Sequence, residues 1–128
     1  MLIFIAVFIA GGTGSILRFA VSKGLSGAQW TTLPLGTATV NILGCLLFGI
    51  FFTIFELRTD VNPIIKAAVL TGFLGGFTTF SSYMAETVQL LSSGVSFFIL
   101  NMVLQTTLGG AAFWGGTKIV RVIELVRG

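Results

Sequence analysis

Residues 72–83 read GFLGGFTTFSSY, in the middle of a long apolar stretch. Three glycines fall within five residues, and hydroxyl side chains follow almost at once. A segment built only to span lipid would carry Leu, Ile and Val there. Glycine weakens a helix by about 1 kcal/mol relative to alanine, and threonine does not restore the loss. GGFTTF is therefore where a helix breaks most readily. A break frees backbone carbonyls, which membrane depth tolerates only if they are buried in protein, face water or hold an ion. Carbonyls ending a half-helix favour a cation. On a second reading, Gly72, Gly75 and Gly76 let a neighbouring helix approach closely, with Gly72 and Gly76 spaced as GxxxG. The sequence leaves both readings open.

The rest of the chain has the same apolar character. Its 128 residues are 9% charged, against about a quarter in soluble domains, and the mean hydropathy is +1.04. The chain reads as one all-α integral membrane domain, residues 1–128, with four spans at about 2–22, 33–55, 63–91 and 95–118, the third broken near its middle. Residues 1–20 lack a basic start and run on to Arg18, so they read as a first span, not a signal peptide. Pro34 suits the first turn of the second helix. ELRTDVNP (56–63) is strongly charged and belongs in water.

Composition also excludes chemistry. The chain has no His and four acidic residues, which removes a His-based hydrolytic triad and argues against zinc. The lone Cys45 rules out a disulfide framework within the chain. The net charge of +3 comes from Lys and Arg outside the apolar cores; they read as interfacial anchors, not as a nucleic-acid patch. Ala111–Gly115 and Ala112–Gly116 are further small-xxx-small pairs. Four short helices can hardly enclose a hydrated path alone, so oligomerisation is expected.

Polar groups within the spans need partners or water. Thr37 and Asn41 share a face of the second segment, continued by Gly44 and Cys45. Asn101 and Gln105 share a face of the fourth, with Gly109 next. Such amides commonly bond between helices, yet polar faces on three segments favour a lined pathway. Phe80, Tyr83 and Thr87 follow i, i+3, i+7 on one face. The positive edge of an aromatic ring turned into a narrow pore can meet a small anion. Arg18 either concentrates anions at an entrance or snorkels to the interface.

With GGTGSILRF (11–19), GTATVNILGC (36–45) and GFLGGFTTFSSY (72–83), the chain resembles the Fluc family of fluoride channels over essentially its whole length. The resemblance implies an antiparallel, dual-topology homodimer in a bacterial cell (inner) membrane, with two pathways that export fluoride passively and relieve its toxicity. It implies Asn41 as a pore-lining donor, Phe80 and the aromatic Tyr83 as a box around the ion, and Ser81 as a donor beside them. Thr37, Thr87 and Glu86 fall along the same pathway, and Arg18 falls in a vestibule. Carbonyls of Gly75 and Thr78 from both copies would hold a central structural sodium ion. This chain has Tyr83 where the family usually has Phe, and Met84 where it often has Ser.

The main alternative is a small multidrug-type proton-coupled transporter, also of four spans. Such a carrier needs an acid deep in its first span, and residues 1–22 contain none. A non-transporting assembly subunit fits polar faces on three segments less well, and a membrane enzyme lacks its nucleophile–base set.

Overall fold

The computed structural model describes residues 1–25 and 31–127. Four helical spans cross the molecule: Leu2–Leu25, Leu35–Leu57, Pro63–Ser92 and Val95–Val126. The first two are the unbroken helices α1 (Leu2–Leu25) and α2 (Leu35–Leu57). The third comes in pieces. Asn62 caps α3 (Pro63–Ala67), its side chain accepting from the Ile64 N–H, with Pro63 in the first turn where a missing N–H costs nothing. A π-helical stretch, Ala68–Leu74, and one α-helical turn, α4 (Gly75–Phe77), follow. Thr78 and Thr79 are then extended, and helix resumes as α5 (Phe80–Gln89). Gly94, with a φ of 133°, makes the turn into α6 (Val95–Arg127), a conformation that side chains with a Cβ rarely adopt.

Glycine sets how the helices pair. A Cβ on Gly14 of α1 would lie 2.1 Å from the Phe73 carbonyl oxygen, and one on Gly76 would lie 2.4 Å from that of Gly11. α1 and the third span therefore meet backbone to backbone. α2 and α6 meet the same way at Gly116, where a Cβ would lie 2.4 Å from the Leu46 carbonyl oxygen. Lipid tails are as apolar as leucine, so close packing of this kind holds membrane helices together. Few large side chains are fully enclosed, and most of the large apolar ones face outward.

The third span thus satisfies both readings of its glycines. Gly72 and Gly76 pack against α1, and the helix also breaks two residues beyond Gly76. Gly75 does not share the packing role; it is exposed, and a Cβ there would meet nothing closer than 3.8 Å.

α6 runs on to Arg127, well past the apolar segment. Its 33 residues make it roughly 50 Å long, against a hydrocarbon core of about 30 Å. The tail KIVRVIELVR has no Gly or Pro to stop it. Lys118 lies over the Trp114 ring at 5.3 Å, a pairing suited to the membrane interface.

Gly14→Ala is expected to destabilise the protein by about 1–3 kcal/mol through overpacking. Gly12→Ala, at a position with open space, should leave stability unchanged or slightly raised. Thermal unfolding in detergent compares the two, and equal melting would refute the close contact of α1 with the third span.

Candidate functional site

The site forms where the third span breaks. Thr78 ends the first piece by turning back, its N–H and hydroxyl both donating to the Leu74 carbonyl at 3.0 and 2.9 Å. Thr79 opens the second piece, its hydroxyl oxygen accepting from the Ser82 N–H at 3.2 Å. The extended peptide between them leaves polar groups that helix bonding no longer pairs.

Neighbouring helices take up those groups. The Asn41 Oδ1 of α2 accepts from the Thr79 N–H at 2.8 Å, and its Nδ2 donates to the Thr79 carbonyl at 3.0 Å. One side-chain amide thus binds both polar groups of one residue, as a β-ladder partner would. From α1, Arg18 Nε donates to the Gly76 carbonyl at 3.1 Å, and Ser15 Oγ lies 3.4 Å from the same oxygen. Arg18 is half-buried, so the residue expected in a vestibule commits its Nε to the break. Among the described residues, no side chain donates to the carbonyls of Gly75 or Thr78.

A polar relay leads away from Asn41. Its Nδ2 also donates to Gln105 Oε1 at 3.2 Å. Gln105 Nε2 donates to Asn101 Oδ1 at 3.0 Å, and Asn101 Nδ2 donates to Thr87 Oγ1 at 2.7 Å. The Thr87 hydroxyl donates in turn to the Tyr83 carbonyl. Thr87, Asn101 and Gln105 are all buried. The relay joins α2, α5 and α6 through donors whose partners are all protein atoms.

The expected aromatic pair meets at a centroid distance of 5.8 Å with planes tilted by 50°. The two rings differ in setting: Phe80 is 74% exposed and Tyr83 only 8%. Both, with Asn41, line two grooves. One, of about 260 Å³, continues along Gly44, Cys45, Phe48 and Phe113. The other, of about 170 Å³, continues to Gln105 and Thr106. Ser81 is exposed beside them, 3.4 Å from the Thr79 hydroxyl.

Thr37 and Glu86 sit apart from this cluster. The Thr37 hydroxyl donates to Glu86 Oε1 at 2.8 Å, while the buried Oε2 accepts no hydrogen bond from the described residues. Both line a cavity of about 620 Å³ with Ser22, Lys23, Thr31 and Thr32.

Asn101, Gln105 and Thr79 belong to this candidate site, although none of them was among the pathway residues expected by name. The amides at i and i+4 signalled Asn101 and Gln105. GGFTTF signalled freed backbone around Thr79, but not that Asn41 would bind it.

Residues 5–117 match the family described as CrcB-like protein, Camphor Resistance (CrcB). The chain belongs to the CrcB family. It is 39% identical over 121 residues to the Fluoride-specific ion channel FluC of Maridesulfovibrio salexigens, covering 94% of this chain and 96% of that one. The protein of the same name from Phocaeicola vulgatus is 43% identical over 107 residues, 80% of this chain and 88% of its own. That from Escherichia coli K12 is 41% identical over 115 residues, 86% and 90% of the two chains. Each of these relatives is matched over most of its length, so the CrcB assignment extends to the whole four-span unit.

Asn41→Leu is expected to leave the part-buried Thr79 N–H and carbonyl without their partner, at up to about 1–3 kcal/mol for each group. Thermal unfolding should fall accordingly, and amide exchange at Thr79 should quicken. Unchanged exchange at Thr79 would show that Asn41 does not hold the break.

Proposed function

We propose that this chain forms a fluoride-selective channel that lets fluoride leave the cell passively. The observation that carries the reading is near-full-length similarity to proteins named Fluoride-specific ion channel FluC. The site geometry supports it. Fluoride is a small, strongly hydrated anion, and a path for it must replace water with donors. Asn41 and Gln105 share a groove with the Phe80–Tyr83 ring pair, and Asn101 and Thr87 continue the polar chain behind them. On this reading Asn41, Phe80, Ser81, Tyr83 and Thr87 line the pathway. Thr37 and Glu86 lie toward one end of it, and Arg18 supplies positive charge nearby.

The pathway is completed by a second, antiparallel copy of the chain. Phe80, Ser81, Gly75 and Thr71 are exposed on one copy, and polar groups at membrane depth do not face lipid tails. Two copies related in this way give two pathways. The carbonyls of Gly75 and Thr78 are hard oxygen donors at the negative end of a half-helix, which suits a sodium ion. Gly76 and Thr79 differ, since side chains already donate to their carbonyls. A sodium ion bound by Gly75 and Thr78 of both copies would neutralise these dipoles and fix the two breaks together.

In liposomes the purified protein is expected to pass fluoride rapidly and chloride very little, as read by ion-selective electrodes. Equal chloride efflux, or none of either ion, would overturn the channel reading. Vesicles depleted of sodium for long periods should lose fluoride flux, and indifference would remove Gly75 and Thr78 as ligands. Phe80→Ile should slow fluoride efflux at least about tenfold while the variant still elutes as wild type. Undiminished flux there would take Phe80 out of the pathway.

A further inference from the structure

Hydrogen-bond directions around Asn41 pose a problem for its role as a donor. A side-chain amide has two N–H bonds to give. Asn41 gives one to the Thr79 carbonyl at 3.0 Å and the other to Gln105 Oε1 at 3.2 Å. Its Oδ1 accepts from the Thr79 N–H at 2.8 Å. The amide that an anion would approach therefore has both hydrogens committed. An anion can gain a hydrogen from Asn41 only by replacing one of these two acceptors.

The two acceptors are not equally replaceable. The Thr79 carbonyl is part of the broken backbone, and the same Asn41 amide holds the N–H of that residue, so releasing it opens both bonds. Gln105 Oε1 ends a side chain that rotates about its own torsions, and its bond to Asn41 is the longer of the two. Gln105 and Asn41 line the same groove as the exposed ring of Phe80. An acceptor leaving Asn41 on that side leaves its hydrogen pointing into the groove.

We propose that Gln105 is a positioning residue that occupies Asn41's second hydrogen as a stand-in acceptor, and that a small anion displaces its Oε1 on entering the groove. The assignment rests on the channel reading above and adds a residue to it. Gln105 sets how tightly the pathway holds the ion. It prevents Asn41 from carrying an unpaired N–H, and it weakens anion binding by competing for that hydrogen. The exchange keeps passage fast, because each step trades one acceptor for another and strands no donor. Gln105 Nε2, held by Asn101 Oδ1 at 3.0 Å, gives the side chain a fixed position to return to.

Two substitutions move this competition in opposite directions. Gln105→Met keeps length and flexibility but removes the acceptor along with the Nε2 donor to Asn101, so Asn41 offers its hydrogen uncontested. The fluoride concentration that half-saturates efflux should then fall about fivefold or more, given the usual cost of a stranded buried donor. Gln105→Glu gives up the Nε2 donor to Asn101 but keeps an acceptor and adds charge that strengthens the bond to Asn41 and repels the anion. Half-saturation should rise about tenfold or more. A merely structural role for Gln105 would lower maximal flux in both variants without opposite shifts in half-saturation. Shifts in the same direction, or none, overturn the proposal. Should Gln105→Met fail to elute as wild type does, an unaltered half-saturation in Gln105→Glu is enough to overturn it. A wild-type protein that passes no fluoride in the same vesicles defeats the channel reading itself, which separates the two failures.

Discussion

A helix interrupted at membrane depth must have its freed peptide groups bonded by protein, water or an ion, because lipid offers them no partner. In this chain, the two helices that precede the third span supply that bonding. Asn41 of α2 takes both polar groups of Thr79, and Arg18 and Ser15 of α1 reach the Gly76 carbonyl. The break is therefore a junction of three helices and not a local defect. Its geometry depends on α1 lying close enough for Arg18 to reach, and that closeness depends on Gly14 and Gly76 having no side chain. Packing and polar satisfaction are two aspects of one constraint here. A larger residue at either glycine would push α1 outward and strip the Gly76 carbonyl of its donors.

The relay from Asn41 to Thr87 bears on the question of interhelical glue against a lined path. Individual membrane hydrogen bonds contribute modestly, averaging about 0.6 kcal/mol where they have been isolated. Only two bonds of the relay cross between helices, too few to account for the association of α2 with α6, which the close approaches at Gly49 and Gly116 explain better. The effect of the relay is on orientation. Each amide has its donor and acceptor sides fixed by its neighbours, and Gln105 and Asn101 are buried where water does not compete. A low surrounding dielectric strengthens such a chain when it is satisfied and penalises it when it is not. The same bonds that hold the helices in register therefore hold a row of donors in a known direction.

Much of the architecture was legible in the sequence. Four apolar segments gave the spans, and the helix-breaking power of GGFTTF located the interruption. What the sequence did not reveal depends on helix rotation and on distance through space. Asn101 and Gln105 stood out as a polar stripe, but only the rotation of α6 against α2 and α5 joins them to Asn41 and Thr87. The pairing of Arg18 with Gly76 spans 58 positions in the chain and follows from backbone contact between two helices. The π-helical turn at Ala68–Leu74 left no mark in composition, because its residues suit an α-helix equally well. The length of α6 was missed for a different reason. Hydropathy reports where a segment leaves the membrane, whereas Lys, Arg, Glu and Leu sustain a helix in water as well.

Phe80 and Tyr83 show how a shared helical face divides into two environments. Spacing puts them together, and their rings do meet, but only Tyr83 is covered by the rest of the chain. With Asn41 they form a wall common to two grooves of different character. One groove continues past Gly44, Cys45, Phe48 and Phe113, while the other continues to Gln105 and Thr106. The first side is bounded by more apolar surface, while the second adds the Gln105 amide and the Thr106 hydroxyl. The second side is also where Gln105 holds the hydrogen of Asn41. A ring edge carries partial positive charge but cannot donate a full hydrogen bond, so the aromatic pair by itself does not compensate dehydration. On the channel reading amide and ring act together, and Asn41 is a residue that touches both the break and the relay.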